Sequence, residues 1–177
     1  SYRALLASKR GVCVSVERKM IPVSGLPNQV FVWETRGMAK ETLDVEHLFT
    51  LDLDVSDGAR VVKNGPQGTR LVASVGGGTF SGARLNGTVV PPGGDWVTSR
   101  NNKTMQLDVR LLLITDDDVP ILMQYKGIGD LEAGTVTSAP QFETGGERYL
   151  WLNDVQAIGK GTLGADGGVS YEVYLVM

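Results

Sequence analysis

The chain of 177 residues is 42% hydrophobic and 21% charged, the composition of an ordinary globular protein long enough for one domain with a substantial core. Its formal net charge of −3 and its scattered Lys and Arg residues argue against nucleic-acid binding, which needs a clustered basic surface. No stretch approaches the roughly 18 apolar residues of a membrane helix, and the first residues do not resemble a signal peptide. We therefore expect a soluble cytoplasmic protein without a nucleic-acid or membrane partner.

Metal and cysteine chemistry have little support in the composition. Cys13 is the single cysteine, so it cannot form an internal disulfide, and His47 is the single histidine. Zinc sites usually need several such ligands, and Cys-His catalysis needs both groups side by side. We predict no metal and no cofactor. His47 alternates with Phe49 and Leu51, so we interpret it as a structural histidine on an apolar face.

Short alternating segments follow one another along the chain, and its 23 glycines stand mainly where the alternation stops. This pattern is typical of many short β-strands joined by turns. In chain order, the predicted strands are residues 12–16, 29–34, 46–55, 69–75, 78–90, 96–99, 104–115, 121–126, 147–153, 155–163 and 169–176. Turns are predicted at residues 91–95 and 116–118, where proline, glycine or aspartate cluster. Residues 131–143 lack regular alternation and are predicted to form a long loop over one end of the fold.

The number of strands predicts an all-β fold, either a sandwich or a barrel. Long strands with few internal prolines would leave exposed edges in an open sheet, and closure removes those edges. We therefore predict a single closed antiparallel β-barrel over residues 45–177, similar to a lipocalin in general architecture. Residues 1–44 are less regular, and we expect an N-terminal arm or extra strands that cover the barrel or pair with a neighbouring subunit.

Several sequence blocks occur together in a recognisable order. They are Glu46-His47-Leu48-Phe49-Thr50-Leu51, Gly77-Gly78-Thr79-Phe80-Ser81-Gly82, Gly93-Gly94-Asp95-Trp96, Asp108-Val109-Arg110, Phe142-Glu143-Thr144-Gly145 and Tyr149-Leu150-Trp151-Leu152-Asn153. In this order the blocks resemble the family called domain of unknown function 3237, small bacterial and fungal proteins, over residues 45–177. The resemblance implies a single antiparallel β-barrel that often associates into oligomers, without an established general activity.

The predicted strand 104–115 carries the first candidate site. Alternation puts Gln106, Asp108 and Arg110 on one face. Leu112 and Ile114 continue that face in apolar form, so we expect it to be partly buried and to line the barrel. Arg110 would then grip an anionic group, and Asp108 would accept a proton. The alternative is that Asp108 and Arg110 simply pair with each other or with neighbouring charges.

The opposite face of the same strand is a continuous apolar row, consisting of Leu107, Val109, Leu111 and Leu113. If the polar face lines the barrel, this row needs cover from the N-terminal arm or from another subunit. We therefore expect a homodimer or a higher homo-oligomer.

A second set of candidate residues lies nearer the C-terminus. On a predicted strand Tyr149, Trp151 and Asn153 share one face, and aromatic rings with polar tips suit a pocket for a planar ligand. Trp96, which follows the predicted turn, would close the same pocket. The alternative for these aromatic residues is ordinary packing in the core.

Two functional hypotheses follow from these residues. The first is a cofactor-independent isomerase, cyclase or lyase that acts by acid–base catalysis on a small apolar or aromatic molecule inside the barrel. Asp108 or Glu143 would be the base, Tyr125 the acid, and Arg110 the group that holds an anion. The second is a non-catalytic carrier or sensor of a small hydrophobic ligand, in which the same polar residues only orient the ligand.

Overall fold

The computed structural model describes residues 2–7, 13–22, 31–36, 42–55, 58–100, 103–164 and 167–177. The chain divides into two compact units, Ser1–Asp44 and Val45–Met177. The first unit contains an antiparallel sheet in the order β1-β2-β3, with β1 Tyr2–Ala7, β2 Cys13–Pro22 and β3 Phe31–Arg36. The sequence predicts β2 and β3, although residues 12, 29 and 30 of the predicted strands lie outside the described residues; β1 is additional.

The second unit consists of strands and one 3-10 helix. Its elements are β4 Val45–Asp54, β5 Ala59–Gly65, β6 Gly68–Ser74, β7 Gly77–Ser81, β8 Asn86–Ser99, β9 Thr104–Thr115, β10 Pro120–Asp130, β11 Thr135–Glu143, the 3-10 helix Glu147–Asp154, β12 Ala157–Leu163 and β13 Val169–Val176.

Eight of these strands form a closed antiparallel barrel, in the order β8-β7-β4-β13-β12-β11-β10-β9, and β9 pairs again with β8. The remaining two strands, β5 and β6, form a hairpin that joins the sheet through the pairing of β6 with β8. The predicted closed β-barrel is therefore confirmed. In the described part of the chain, no helix is long and apolar enough to cross a membrane.

Five segments differ from the predicted elements. β5 is additional, and the predicted strand 78–90 is two strands, β7 and β8, separated by residues 82–85. β8 runs through the predicted turn at residues 91–95, because an irregularity between Val90 and Gly94 accommodates the two prolines without ending the strand. The predicted loop contains β11, which pairs with both β10 and β12; its inward positions include a serine and a proline, which hide the alternation. Glu147–Asp154 is a 3-10 helix instead of a strand, and its buried Tyr149 and Leu152 are three residues apart.

The apolar row of β9 faces the interior of the barrel. Its four members, Leu107, Val109, Leu111 and Leu113, are each at most 4% exposed. The predicted orientation of β9 is therefore wrong, because burying Asp and Arg costs far more free energy than leaving them in water. The row needs no second subunit to cover it, so the homo-oligomer loses this support and stays a prediction.

Candidate functional site

Asp108 and Arg110 lie on the outer wall of the barrel. Their side chains are 37% and 53% exposed, and Arg110 Nη1 lies 3.3 Å from Asp108 Oδ1. The guanidinium carbon of Arg110 is also 5.6 Å from the centroid of the Trp96 ring. The predicted position of the two charges inside the barrel is wrong, and they pair with each other, as in the alternative considered from the sequence. An ion pair this exposed contributes little to stability, so it leaves both groups available to a ligand.

The second predicted cluster does not form one face of a pocket. Tyr149, Trp151 and Asn153 lie on the 3-10 helix, so strand alternation does not align them. Tyr149 is buried, and its hydroxyl donates to Asp117 Oδ1 at 2.7 Å. Glu143 is exposed on β11. These side chains therefore do not surround a common space with Tyr125.

Trp151 and Asn153 have structural partners instead. The guanidinium carbon of Arg84 lies 3.6 Å from the centroid of the Trp151 ring. Asn153 Oδ1 accepts a hydrogen bond from the Thr144 backbone N–H at 2.9 Å, and Asn153 Nδ2 donates to the Thr144 carbonyl at 3.0 Å. The two bonds from Asn153 fasten the 3-10 helix to the residue that follows β11.

His47 lies on the outer surface, where Nε2 is 2.7 Å from Glu172 Oε2. Leu48 and Phe49 are both buried, so the alternation of β4 is interrupted beside His47. The apolar environment predicted for His47 is therefore wrong. Among the described residues, no group of three His, Cys, Asp or Glu side chains is placed to hold a metal ion.

Tyr125 points into the barrel from β10 and has a buried partner. Its residue is 4% exposed, and its ring centroid lies 5.6 Å from that of Tyr171 on β13. Burial, followed by the adjacent Tyr171, raises the pKa of Tyr125 well above its usual value. Burial also raises the pKa of Tyr171 to about 12. Both phenols therefore stay protonated at neutral pH and can donate hydrogen bonds.

Asp95 is a candidate site residue that the sequence patterns did not identify. It lies on β8 opposite the inward-facing Val109. Burial raises the pKa of Asp95 to about 6. The Asp108 backbone N–H donates a hydrogen bond of 3.0 Å to Asp95 Oδ1, which offsets part of this increase, whereas the negative charge of Asp108 adds to it. The Asp95 charge in turn contributes to the raised pKa values of Tyr125 and Tyr171. Asp95 therefore changes its charge near neutral pH beside two protonated phenols.

The alternation of β8 contains a signal for this residue. Val97 is buried, and Asp95 stands two positions before it on the same face. The predicted turn at residues 91–95 ended the strand too early to reveal this. A partly buried carboxyl group with a pKa near neutrality suits general acid–base catalysis.

The fold and these side chains define a class of small eight-stranded β-barrels that carry an ionisable group on the inner face. The chain belongs to the family described as "Protein of unknown function (DUF3237)", which it matches over residues 43–176. This match confirms the resemblance drawn from the sequence blocks.

Similar proteins agree with this assignment. A UPF0311 protein of Bradyrhizobium diazoefficiens is 30% identical over 127 residues, which cover 63% of this chain and 82% of the relative. A solved β-barrel like protein from Acinetobacter baumannii AYE is 28% identical with a TM-score of 0.68, over 77% of this chain and 97% of that chain. A solved structure described as an enzyme from Penicillium herquei is 25% identical with a TM-score of 0.64, over 80% of this chain and 99% of that chain.

Proposed function

We propose that the protein is an enzyme that moves a proton on a small apolar or aromatic molecule, with Asp95 as the group that accepts and returns the proton. The observation that carries the proposal is the position of the Asp95 carboxyl group, which lies on the inner face of β8 opposite Val109 and is partly buried; this burial raises its pKa to about 6. The similar protein from Penicillium herquei that is described as an enzyme adds support. Asp95 replaces Asp108 and Glu143 as the candidate base, because both of those side chains lie on the outer wall.

The chemistry follows from the two protonation states of Asp95. Ionised Asp95 takes a proton from a carbon next to a carbonyl, or from a hydroxyl group, and becomes a neutral acid. Negative charge then develops on a substrate oxygen, which the neutral carboxyl group of Asp95 can stabilise by donating a hydrogen bond. Return of the proton to another carbon gives an isomerase. Addition of the activated oxygen to a conjugated double bond of the same molecule forms a C–O bond, and Asp95 returns the proton to the carbon that receives the electron pair, which gives a cyclase. Departure of a group from the carbon next to the carbanion, with its bonding electrons and the proton from Asp95, gives a lyase.

The packed interior makes a carrier of hydrophobic ligands less consistent with the geometry. Large side chains, among them Phe49, Phe80, Leu111 and Met123, fill the inside of the barrel and are each at most 2% exposed. A carrier needs an empty volume of the size of its ligand. Asp95, by contrast, is only partly buried, and acid–base chemistry at a partly exposed carboxyl group does not require a hollow barrel.

Deuterium exchange tests the proposed proton transfer. The 177-residue chain is incubated in D2O near neutral pH with a panel of hydroxylated aryl ketones and 1,3-diketones, and loss of the proton next to the carbonyl is followed by NMR. We expect exchange with the wild type and with the control Asp154→Asn, which removes an exposed carboxyl, but not with Asp95→Asn. If no compound exchanges faster with the wild type than with Asp95→Asn, proton transfer by Asp95 is rejected.

A direct titration provides a second test that does not depend on finding the substrate. The carboxyl carbon of Asp95 is followed by NMR across the pH range, with the resonance assigned by its absence in Asp95→Asn. We expect a midpoint at about 6. A midpoint near the ordinary Asp value of about 3.9 would remove the physical basis of the proposal.

A further inference from the structure

Two adjoining hollows lie on the outer wall of the barrel, and together they form what we call the outer groove. One hollow has a volume of about 330 Å³ and is lined in part by Arg70, Trp96, Gln106, Asp108 and Lys126. The other has a volume of about 350 Å³ and is lined in part by Asp108, Arg110, Gln124, Lys126, Gln141 and Gln156. Asp108 and Lys126 line both hollows, so the two form one continuous surface. Each volume is within the range of small-molecule sites, about 300–1,000 Å³.

The outer groove is basic on a protein whose net charge is negative. Its charged lining consists of Arg70, Arg110 and Lys126 against the single acid Asp108, whereas the whole chain has a formal net charge of −3. Arg110 pairs with Asp108, and Arg70 is held by Gln67. In the part of the chain that the structure describes, Lys126 has no ion-pair partner. This excess of positive charge favours an anionic ligand.

Amide side chains supply most of the remaining polar lining. Gln67 and Gln106 contribute to the first hollow and Gln124, Gln141 and Gln156 to the second. An amide group both donates and accepts hydrogen bonds, as a hydroxyl group does, so a row of glutamines suits a ligand with several hydroxyls. Trp96 is 42% exposed beside them and offers an indole ring as a flat contact for a ring-shaped ligand.

We propose that the outer groove binds a small ring compound that carries a carboxylate and several hydroxyl groups. Lys126 and Arg110 bind the carboxylate, and the ring lies against Trp96. Gln106, Gln124 and Gln141 bind the hydroxyls, whereas Gln156 donates to the Pro140 and Ala157 carbonyls and accepts from Gln141. The same chemistry occurs in phenolic acids and in sugar acids. Binding in the groove does not require any reaction at Asp95, because Asp95 is not among the lining residues.

Titrations of the 177-residue chain with matched probes test this inference. Gallate represents a phenolic acid and glucuronate a sugar acid, and the neutral analogues pyrogallol and glucose lack the carboxylate. Binding is followed by calorimetry and by the NMR signal of the Trp96 indole N–H, which is assigned with Trp96→Phe. We expect at least one acid to bind and its neutral analogue to bind about tenfold more weakly, as the loss of a charge-assisted hydrogen bond implies. Which acid binds more tightly distinguishes the two sources.

Variants connect the binding to the groove. Lys126→Gln should weaken the binding of the acid about tenfold, whereas Lys160→Gln, which removes an exposed positive charge outside the groove lining, should leave it unchanged. Asp95→Asn should also leave it unchanged, so that failure of the proposed reaction and failure of this inference can be told apart. The inference is overturned if neither acid shifts the Trp96 signal, if neutral analogues bind equally well, or if Lys126→Gln and Lys160→Gln have the same effect.

Discussion

Replacing Asp95 by asparagine should stabilise the protein above neutral pH. The folded protein raises the pKa of Asp95 from 3.8 to about 6, so folding opposes ionisation of this carboxyl group. A raised pKa contributes stability that is fully present below the unfolded value and is lost as the pH rises through the folded value. The wild type should therefore lose stability between about pH 4 and about pH 7, whereas the asparagine variant, which has no charge to bury, should not.

The magnitude follows from the size of the pKa shift. A shift of about 2 units corresponds to about 3 kcal/mol at 1.36 kcal/mol per unit. Asp95 retains some contact with solvent, so we reduce this to about 2 kcal/mol. The amide oxygen of asparagine can still accept the hydrogen bond from the Asp108 N–H, which keeps the backbone contact in the variant. At pH 7.5 the variant should exceed the wild type by up to about 2 kcal/mol, and near pH 4 the two should be equal.

Urea denaturation at several pH values measures this difference as free energies of unfolding. Asp154→Asn, which removes an exposed carboxyl group, is the control and should follow the wild type at every pH. Parallel curves for Asp95→Asn and the wild type, or a variant that is less stable at pH 7.5, would refute the raised pKa. The expected result has a functional meaning as well, because a protein that retains a carboxyl group at a cost in stability usually does so for activity.

Two further substitutions test contacts elsewhere in the barrel. Hydrogen bonds from Thr115 and Tyr149 lower the pKa of Asp117 to about 2. Tyr149→Phe should therefore lower the melting temperature by about 2–4 °C above pH 4, and this difference should shrink as the pH falls towards 2. An unchanged melting temperature would contradict the hydrogen bond from Tyr149. A methyl group on Gly87 would collide with a carbonyl oxygen of β9, so Gly87→Ala should lower the free energy of unfolding, measured by urea denaturation, by at least about 2 kcal/mol. The control Gly145→Ala, whose methyl group would have no atom within 4 Å, should change it little. Similar losses in the two variants would contradict this packing.

The strands could be predicted from the sequence because alternation is a local pattern. The closed barrel could be predicted because long strands with few internal prolines would leave exposed edges in an open sheet. The orientation of β9 could not be predicted from the same rule, since both of its faces contain apolar residues. Leu112 and Ile114 suggested that the face with Asp108 was buried, yet these two side chains remain partly exposed on the outer wall. The unbroken row from Leu107 to Leu113 is the stronger signal, because it buries apolar surface without burying any charge.

Two features could not be predicted from the sequence, the 3-10 helix Glu147–Asp154 and the inward position of Asp95, because each depends on where a strand ends. The large side chains of Glu147–Asp154 fit the repeat of either a 3-10 helix or a strand. The buried Tyr149 and Leu152 are three residues apart, as in a 3-10 helix, whereas Tyr149 and Trp151 are two apart, as on one face of a strand. A short segment does not distinguish these periods, and the contact that Tyr149 makes with Asp117 joins residues that are distant in sequence. Proline and glycine before Asp95 likewise predict a turn locally, whereas pairing with β9 keeps the strand extended.

The irregularity of β8 explains how one strand serves both the inner carboxyl group and the outer groove. Between Val90, opposite Leu112, and Gly94, opposite Arg110, β8 has three residues where β9 has one. The excess is two residues, and because the side-chain period of a strand is also two, the inward and outward faces keep their phase beyond the irregularity. Asp95 therefore stays on the inner face and Trp96 on the outer face. Residues that pair across neighbouring strands share a face, so the pairing with Val109 holds the Asp95 carboxyl group on the inner face, in the environment that raises its pKa.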